Sequence, residues 1–147
     1  MLFELHCHTS RYSPCSVVDP VDLIGRIVKK GLQGVVITEH QYQWTETELA
    51  DLRRASEVSD SFIILSGQEV ATNIGHVLVY GVGHTISHEL SIEELRERYP
   101  DAALVWAHPF RHGKVPKPKR LLHPALDGIE IFNTNQTIEE NYAGLES

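Results

Sequence analysis

Residues 34–40 read GVVITEH, and this stretch decides the fold. Val35, Val36 and Ile37 make a short β-branched run, which is typical of a strand buried on both faces in a parallel sheet. The run ends at His40, so a histidine stands where such a strand meets its loop. The stretch therefore predicts a parallel sheet with polar side chains at the carboxyl ends of its strands.

Other strands and helices alternate along the chain on both sides of this run. Residues 2–8 alternate in a β-like register that points His6 and His8 to one face. Further strands are predicted at residues 62–66, 77–80, 103–106 and 128–132, with 77–80 returning antiparallel. Helices are predicted at residues 19–30, 45–58, 91–98 and 137–145. This alternation predicts an α/β fold built from βαβ units.

Two helix starts have strong capping signals. Asp19 precedes Pro20, the order of an N-cap and a first helical residue. Ser91 is followed three residues later by Glu94, which forms a capping box.

The bulk composition limits the classes of function. A chain of 147 residues with 41% hydrophobic content predicts one domain over residues 1–147. The net charge of −7 argues against binding of duplex nucleic acid, although residues 111–120 are locally basic. No apolar stretch of about 18 residues and no leader pattern is found, so we expect no membrane contact and a cytoplasmic location. Cys7 and Cys15 are then expected to be reduced thiols.

Histidines and a glutamate stand repeatedly at predicted strand ends. His6 and His8, two residues apart on one strand face, could grip one metal ion, although simple alternation on a solvated strand gives the same pattern. His40 would be costly to bury without a metal or carboxylate partner, and alone it is better interpreted as a capping or core histidine with a hydrogen bond. Glu69 could face solvent or bridge two cations. The remaining strand-end histidines are His76 and His108. Together these positions predict a metal site.

The other four histidines are expected to have ordinary surface or structural roles, since they lie in loops or near helix ends. They are His84, His88, His112 and His123. His112 is the best of them for contact with a substrate, and Arg111 and Lys114 of the same loop could also orient a phosphate.

These motifs resemble the polymerase and histidinol phosphatase (PHP) superfamily. The matching segments, in family order over nearly the whole chain, are His6-Cys7-His8-Thr9, Thr38-Glu39-His40, Gly67-Gln68-Glu69, Gly75-His76, Ala107-His108-Pro109 and Glu130-Ile131-Phe132-Asn133. The resemblance implies a distorted (βα)7 TIM-like barrel, incomplete at its C-terminus in this chain, with two or three divalent metal ions. It implies that His6 and His8 hold one metal, Glu69 bridges two, His76 and His108 complete the second, and His40 contributes to the third. Imidazole-rich ligation favours zinc, manganese or iron over magnesium.

Two departures from the family pattern stand out. After Ser13 the family carries an aspartate or histidine, whereas this chain has Pro14 and Cys15. Cys15 could replace the missing ligand as a thiolate, or the third site could be incomplete. The family's closing Gly-Ser-Asp-x-His type motif is also missing. Three explanations of that departure are open: the chain is a fragment of a longer protein, its centre lacks two ligands, or a partner subunit supplies them. The fragment is favoured because an open barrel that lacks its last strands would expose unpaired strand edges.

The resemblance implies hydrolysis of a phosphomonoester or phosphodiester in a small phosphorylated substrate by a metal-activated water. The alternative is a degenerate PHP domain that binds metal as a structural or regulatory module without turnover. Hydrolysis of C–N bonds is a third possibility, but no lysine stands at a strand end to become a carboxylated metal bridge. The sequence leaves the substrate, the metal and the oligomeric state open.

Overall fold

The computed structural model describes residues 1–146, which form six strands, five α-helices and one 3-10 turn. The strands are β1 (Phe3–Cys7), β2 (Gly34–His40), β3 (Ile63–Thr72), β4 (Gly75–Tyr80), β5 (Ala103–Trp106) and β6 (Gly128–Ile129). The helices are α1 (Pro20–Lys29), α2 (Glu46–Ser56), α3 (Ile92–Arg98), α4 (Pro118–Leu121) and α5 (Ile138–Glu146), and the 3-10 turn is Arg111–Gly113. The predicted α/β alternation is therefore confirmed.

The expected (βα)7 barrel is wrong. The strands lie in one mixed sheet in the order β1-β2-β3-β4-β5-β6. Strands β1, β2 and β3 are parallel, β4 and β5 are antiparallel, and β5 and β6 are parallel. A barrel of βα units typically needs about 250 residues for eight units. A chain of 147 residues is too short for seven.

The turn after β3 explains the mixed sheet. Only Asn73 and Ile74 separate β3 from β4, whereas a parallel crossover needs about a dozen residues or more. The Thr72 hydroxyl donates to the Gly75 carbonyl and accepts from the Ile74 N–H, which closes the turn. Gly75 has a φ of 124°, a conformation that favours glycine. The chain therefore reverses direction where a βαβ unit would have placed a helix.

The chain divides into two compact units, and the first comprises Met1–Glu69 with Val82–His88. Its buried cluster joins strands β2 and β3 to helices α1 and α2, and consists of Ile24, Ile27, Val35, Ile37, Trp44, Leu52, Phe62 and Ile64. Both helices begin at the residues that the sequence indicates. Asp19 accepts from the first-turn N–H groups of α1, and Thr45 forms a full capping box with Glu48 at α2. These caps and the buried cluster fix the three parallel strands.

The second unit comprises Val70–Gly81 with residues 89–146. Its antiparallel pair of strands has Val77 opposite Trp106 and Val79 opposite Leu104. Helix α3 begins with the predicted capping box of Ser91 and Glu94. Arg96 of this helix donates to several backbone carbonyls and to the Asp127 carboxylate. The predicted last strand is shorter than expected, since β6 has only two residues.

Asp127 should make the stability of the protein depend on pH. Its carboxylate accepts from Leu104 N, and this bond together with the Arg96 guanidinium lowers the pKa of Asp127, against the smaller opposing effect of partial burial. The folded state thus favours the charged form, so its contribution is full above the ordinary pKa of 3.8 and is lost as the pH falls through the lowered value. Because the side chain is 51% exposed, we expect Asp127→Asn to cost only about 0.5–1 kcal/mol at neutral pH.

Urea unfolding of the wild type and Asp127→Asn at several pH values measures this effect. The difference in unfolding free energy should close as the pH falls below 3.8. A difference that stays constant down to strongly acidic pH would contradict this assignment.

Within residues 1–146, no helix is both long and apolar enough to cross a membrane.

Candidate metal centre

Three imidazoles meet at one buried carboxylate oxygen in the first unit. Glu69 Oε2 lies 3.2 Å from His6 Nε2, 2.9 Å from His8 Nε2 and 3.5 Å from His40 Nδ1. The Glu69 side chain is only 1% exposed, while that of His40 is 34% exposed. The His8 and His40 rings stack, with centroids 4.5 Å apart. Four of the predicted metal-binding residues therefore lie together, with access to solvent on the His40 side.

The parallel strands place these side chains. His40 and Glu69 are register partners on β2 and β3, and neighbouring strands lie about 4.8 Å apart. On β1 the register shifts between Glu4 and Cys7, which indicates a bulge in the stretch that contains His6. The Glu4 carboxylate accepts the His6 N–H within this irregular stretch. Bulges redirect side chains at functional sites, and here both His6 and His8 reach the same oxygen.

The geometry of this cluster fits a cation better than hydrogen bonds alone. A neutral imidazole carries only one N–H, and a carboxylate oxygen offers about two lone-pair directions. Three imidazole nitrogens around the single Oε2 exceed what that oxygen accepts well. A divalent ion would instead take lone pairs from imidazole nitrogens at about 2.0–2.1 Å and from a carboxylate oxygen at a similar distance. The residues present are thus suitable ligands for a transition metal.

Cys15 lies beside this cluster. One ligand atom from each of His8, Cys15 and His40 lies within 4.8 Å of the other two. The Cys15 residue is exposed, and the loop that carries it is fixed on both sides, since the Ser16 hydroxyl donates to the His8 carbonyl and the Ser13 N–H donates to the Thr9 carbonyl. The position after Pro14 therefore places a thiol beside two of the candidate ligands.

Glu39 supports the site through buried hydrogen bonds, and the sequence analysis assigned it no role. Its carboxylate is fully buried and accepts from the Thr9 N–H and hydroxyl, the Ser13 hydroxyl and the Trp44 indole N–H. The Ser13 hydroxyl also accepts the His40 N–H and lies 3.4 Å from His8 Nδ1. Ser13 thereby connects the buried carboxylate to the His8 imidazole and to the His40 backbone. The available signal was a glutamate that follows the β-branched run directly, between Thr38 and His40.

His76 and His108 form a pair of imidazoles in the second unit. Their ring centroids lie 5.6 Å apart in an edge-to-face arrangement. His108 has a φ of 34°, a region that non-glycine residues rarely occupy. Its N–H donates to Glu130 Oε2 at 2.7 Å, so Glu130 holds this strained backbone in place. The sequence singled out the segment around Glu130, but it gave no hint of this positioning contact.

The predicted substrate-orienting residues Arg111 and His112 lie in the second unit. Together with His76 and His108 they line a cavity of about 260 Å³. Glu140 fixes this loop from α5 by accepting the Gly113 N–H at 2.9 Å. Hydrogen bonds from the Thr137 and Gly113 backbones lower the pKa of Glu140, so it remains an anion there.

Among the histidines for which we expected ordinary roles, His123 pairs with Glu93 at 3.1 Å.

Comparison with protein families finds none that matches the chain. The chain is similar to an uncharacterized protein, MJ1587, of the archaeon Methanocaldococcus jannaschii. The two are 28% identical over 145 residues, which cover 90% of this chain and 82% of the relative. The similarity extends over most of both chains and assigns no activity.

Proposed function

We propose that this protein is a metal-dependent phosphoesterase of the PHP type. The observation that carries the proposal is the convergence of His6, His8 and His40 on the buried carboxylate of Glu69. Three imidazoles and one carboxylate are ligands suited to zinc, manganese or iron. The order of the histidine motifs along the chain supports the same family.

The roles of the chain's own residues follow from their positions. Glu69 supplies the negative charge of the ligand set, and the three imidazoles supply neutral nitrogen donors. Cys15 offers a further donor on the exposed side. When bound, the metal lowers the pKa of a coordinated water and neutralises charge on phosphoryl oxygens. In the proposal, Arg111 and His112 orient the phosphate, and His76 and His108 serve as ligands as the family resemblance implies.

The scaffold behind the ligands favours catalysis over fortuitous metal binding. Hydrogen-bonded partners orient metal ligands and tune their basicity. Here the Glu39–Ser13 pair contacts the His8 ring and positions the His40 backbone. The exposed side of His40 leaves room for a substrate at the same cluster.

Replacing His8 with alanine should abolish activity by removing a metal ligand. We expect the wild-type protein, supplied with manganese, to hydrolyse 4-nitrophenyl phosphate, and His8→Ala to lose about 100-fold or more of that rate, because loss of a supporting contact alone costs about 10–100-fold. Metal content is measured in parallel by elemental analysis. The exposed His88→Ala is the matched control and should keep both metal and activity.

The same assays separate the two candidate functions. Equal hydrolysis by His8→Ala and the wild type would exclude the metallo-enzyme. A wild type that binds metal through His8 yet turns over no phosphate ester would favour the metal-binding module without turnover.

A further inference from the structure

A second cavity lies next to the His76–His108 cavity, and its walls are cationic and apolar. Its volume is about 510 Å³. It is lined by Ile74, Trp106, Pro109, Lys114, Val115, Pro116, Lys117 and Arg120. All of these residues belong to the second unit. We refer to it as the basic cavity.

The three cations of the basic cavity have no carboxylate partners. Among residues 1–146, no ion pair involves Lys114, Lys117 or Arg120. No aspartate or glutamate lines the cavity. Unpaired cations gathered around a concave apolar surface attract an anion more strongly than scattered surface charges do.

Trp106 adds a neutral donor to the same wall. The residue is only 5% exposed as a whole, but its indole nitrogen is not among the buried atoms that lack a partner, so this N–H is accessible to solvent. An indole N–H can only donate. Gly75 leaves space beside this nitrogen, since a Cβ at that position would lie 3.2 Å from it. An accessible donor on a residue that lines a cavity with three cations favours an acceptor-rich ligand.

The charge distribution of the chain supports the same ligand class. Residues 109–124 contain five of the thirteen lysines and arginines and none of the twenty aspartates and glutamates. The rest of the chain is strongly acidic. The positive charge of this segment, and not the net charge of the chain, would therefore attract an anion. A polyanion such as duplex nucleic acid would meet repulsion from the remaining surface.

We propose that the basic cavity binds a phosphate group of the substrate other than the one that is hydrolysed. The assignment of this ligand as the substrate rests on the proposed function. The basic cavity shares Ile74, Trp106, Pro109 and Lys114 with the cavity of His76 and His108. A substrate with two phosphate groups thus reaches the imidazole pair with one and the basic cavity with the other. The preferred substrate class is a small bisphosphate.

Anion binding to the metal-free protein tests the cavity itself. Isothermal titration with inorganic pyrophosphate, after metal removal by a chelator, should show binding to the wild type. The double variant Lys117→Ala/Arg120→Ala should bind at least tenfold more weakly, and Trp106→Phe, which keeps the ring but removes the N–H, about fivefold more weakly. Lys119→Ala is the matched control, because Lys119 belongs to the same loop but does not line the cavity. Equal affinity of the wild type and the double variant would overturn the proposal.

Inhibition of aryl phosphate hydrolysis tests whether the bound phosphate belongs to the substrate. Against 4-nitrophenyl phosphate, fructose 1,6-bisphosphate should inhibit the wild type at least tenfold more strongly than fructose 6-phosphate. The double variant should lose this preference. Equal inhibition of the wild type by both sugars would overturn the substrate assignment and leave a site for free phosphate. If the wild type hydrolyses no aryl phosphate but the double variant loses pyrophosphate binding, the anion site is supported and the proposed function is wrong.

Discussion

Glu69→Gln is expected to abolish metal binding at the proposed centre and with it the proposed phosphoesterase activity. Glutamine keeps the shape of the side chain but replaces an anionic ligand by a neutral amide, facing three imidazoles. Loss of a supporting partner costs about 10–100-fold in metal affinity, and loss of a direct anionic ligand should cost about 100-fold or more. Elemental analysis after dialysis and a zinc titration with a chromogenic competitor measure the effect.

Two variants make this result specific. Glu69→Asp keeps the charge with a shorter reach, so it should retain part of the metal affinity. Glu97→Gln changes an exposed glutamate of α3 and should behave as the wild type. If Glu69→Gln holds metal as tightly as the wild type, Glu69 is not a ligand and the proposed centre must be abandoned.

Glu39→Ala is expected to destabilise the fold by about 3 kcal/mol even without metal. The substitution leaves the Thr9 N–H and the Trp44 indole N–H without their acceptor in the interior. Each buried donor left unpaired costs about 1–3 kcal/mol. The fully buried carboxylate also disappears from a packed environment, which adds the cost of a cavity. Urea unfolding of the metal-free proteins gives the free energy of unfolding directly.

Glu97→Ala serves as the control, because its side chain is exposed and should change stability by less than about 0.5 kcal/mol. Metal must be removed from all samples, since a ligand that binds only the folded state would mask the difference. A loss below about 1 kcal/mol for Glu39→Ala would show that the buried hydrogen bonds have been replaced by water.

Strand β2 and the starts of two helices could be predicted from local patterns. The β-branched run of β2, the Asp19 cap of α1 and the capping box of α3 were each confirmed. These features depend on neighbours in sequence, which a pattern records directly. The closed barrel was wrong because it was transferred from a family resemblance. The two-residue turn at Asn73 and Ile74 indicated a reversal of the chain that this transfer did not take into account.

The candidate metal ligands could be predicted from the sequence, whereas the residues that position them could not. His6, His8 and His40 stand at or next to strand ends, and parallel strands bring such residues together without any knowledge of packing. Glu69 was also expected at a strand end, but it lies inside β3, which continues to Thr72, and there it is the register partner of His40. Glu39, Ser13 and Glu130 act through hydrogen bonds between segments that are 22 to 30 residues apart. Such contacts depend on side-chain orientation, which no periodicity encodes. No sequence periodicity predicted the positive φ of His108 either.

The pairing of His40 with Glu69 across β2 and β3 has a consequence for folding. A slip of one residue between these strands would turn one of the two side chains to the opposite face of the sheet. Only correctly aligned molecules could then hold an ion between them. Metal uptake during refolding would therefore measure the fraction of molecules that have the native strand register. In a cobalt titration, chains with a shifted register would stay colourless.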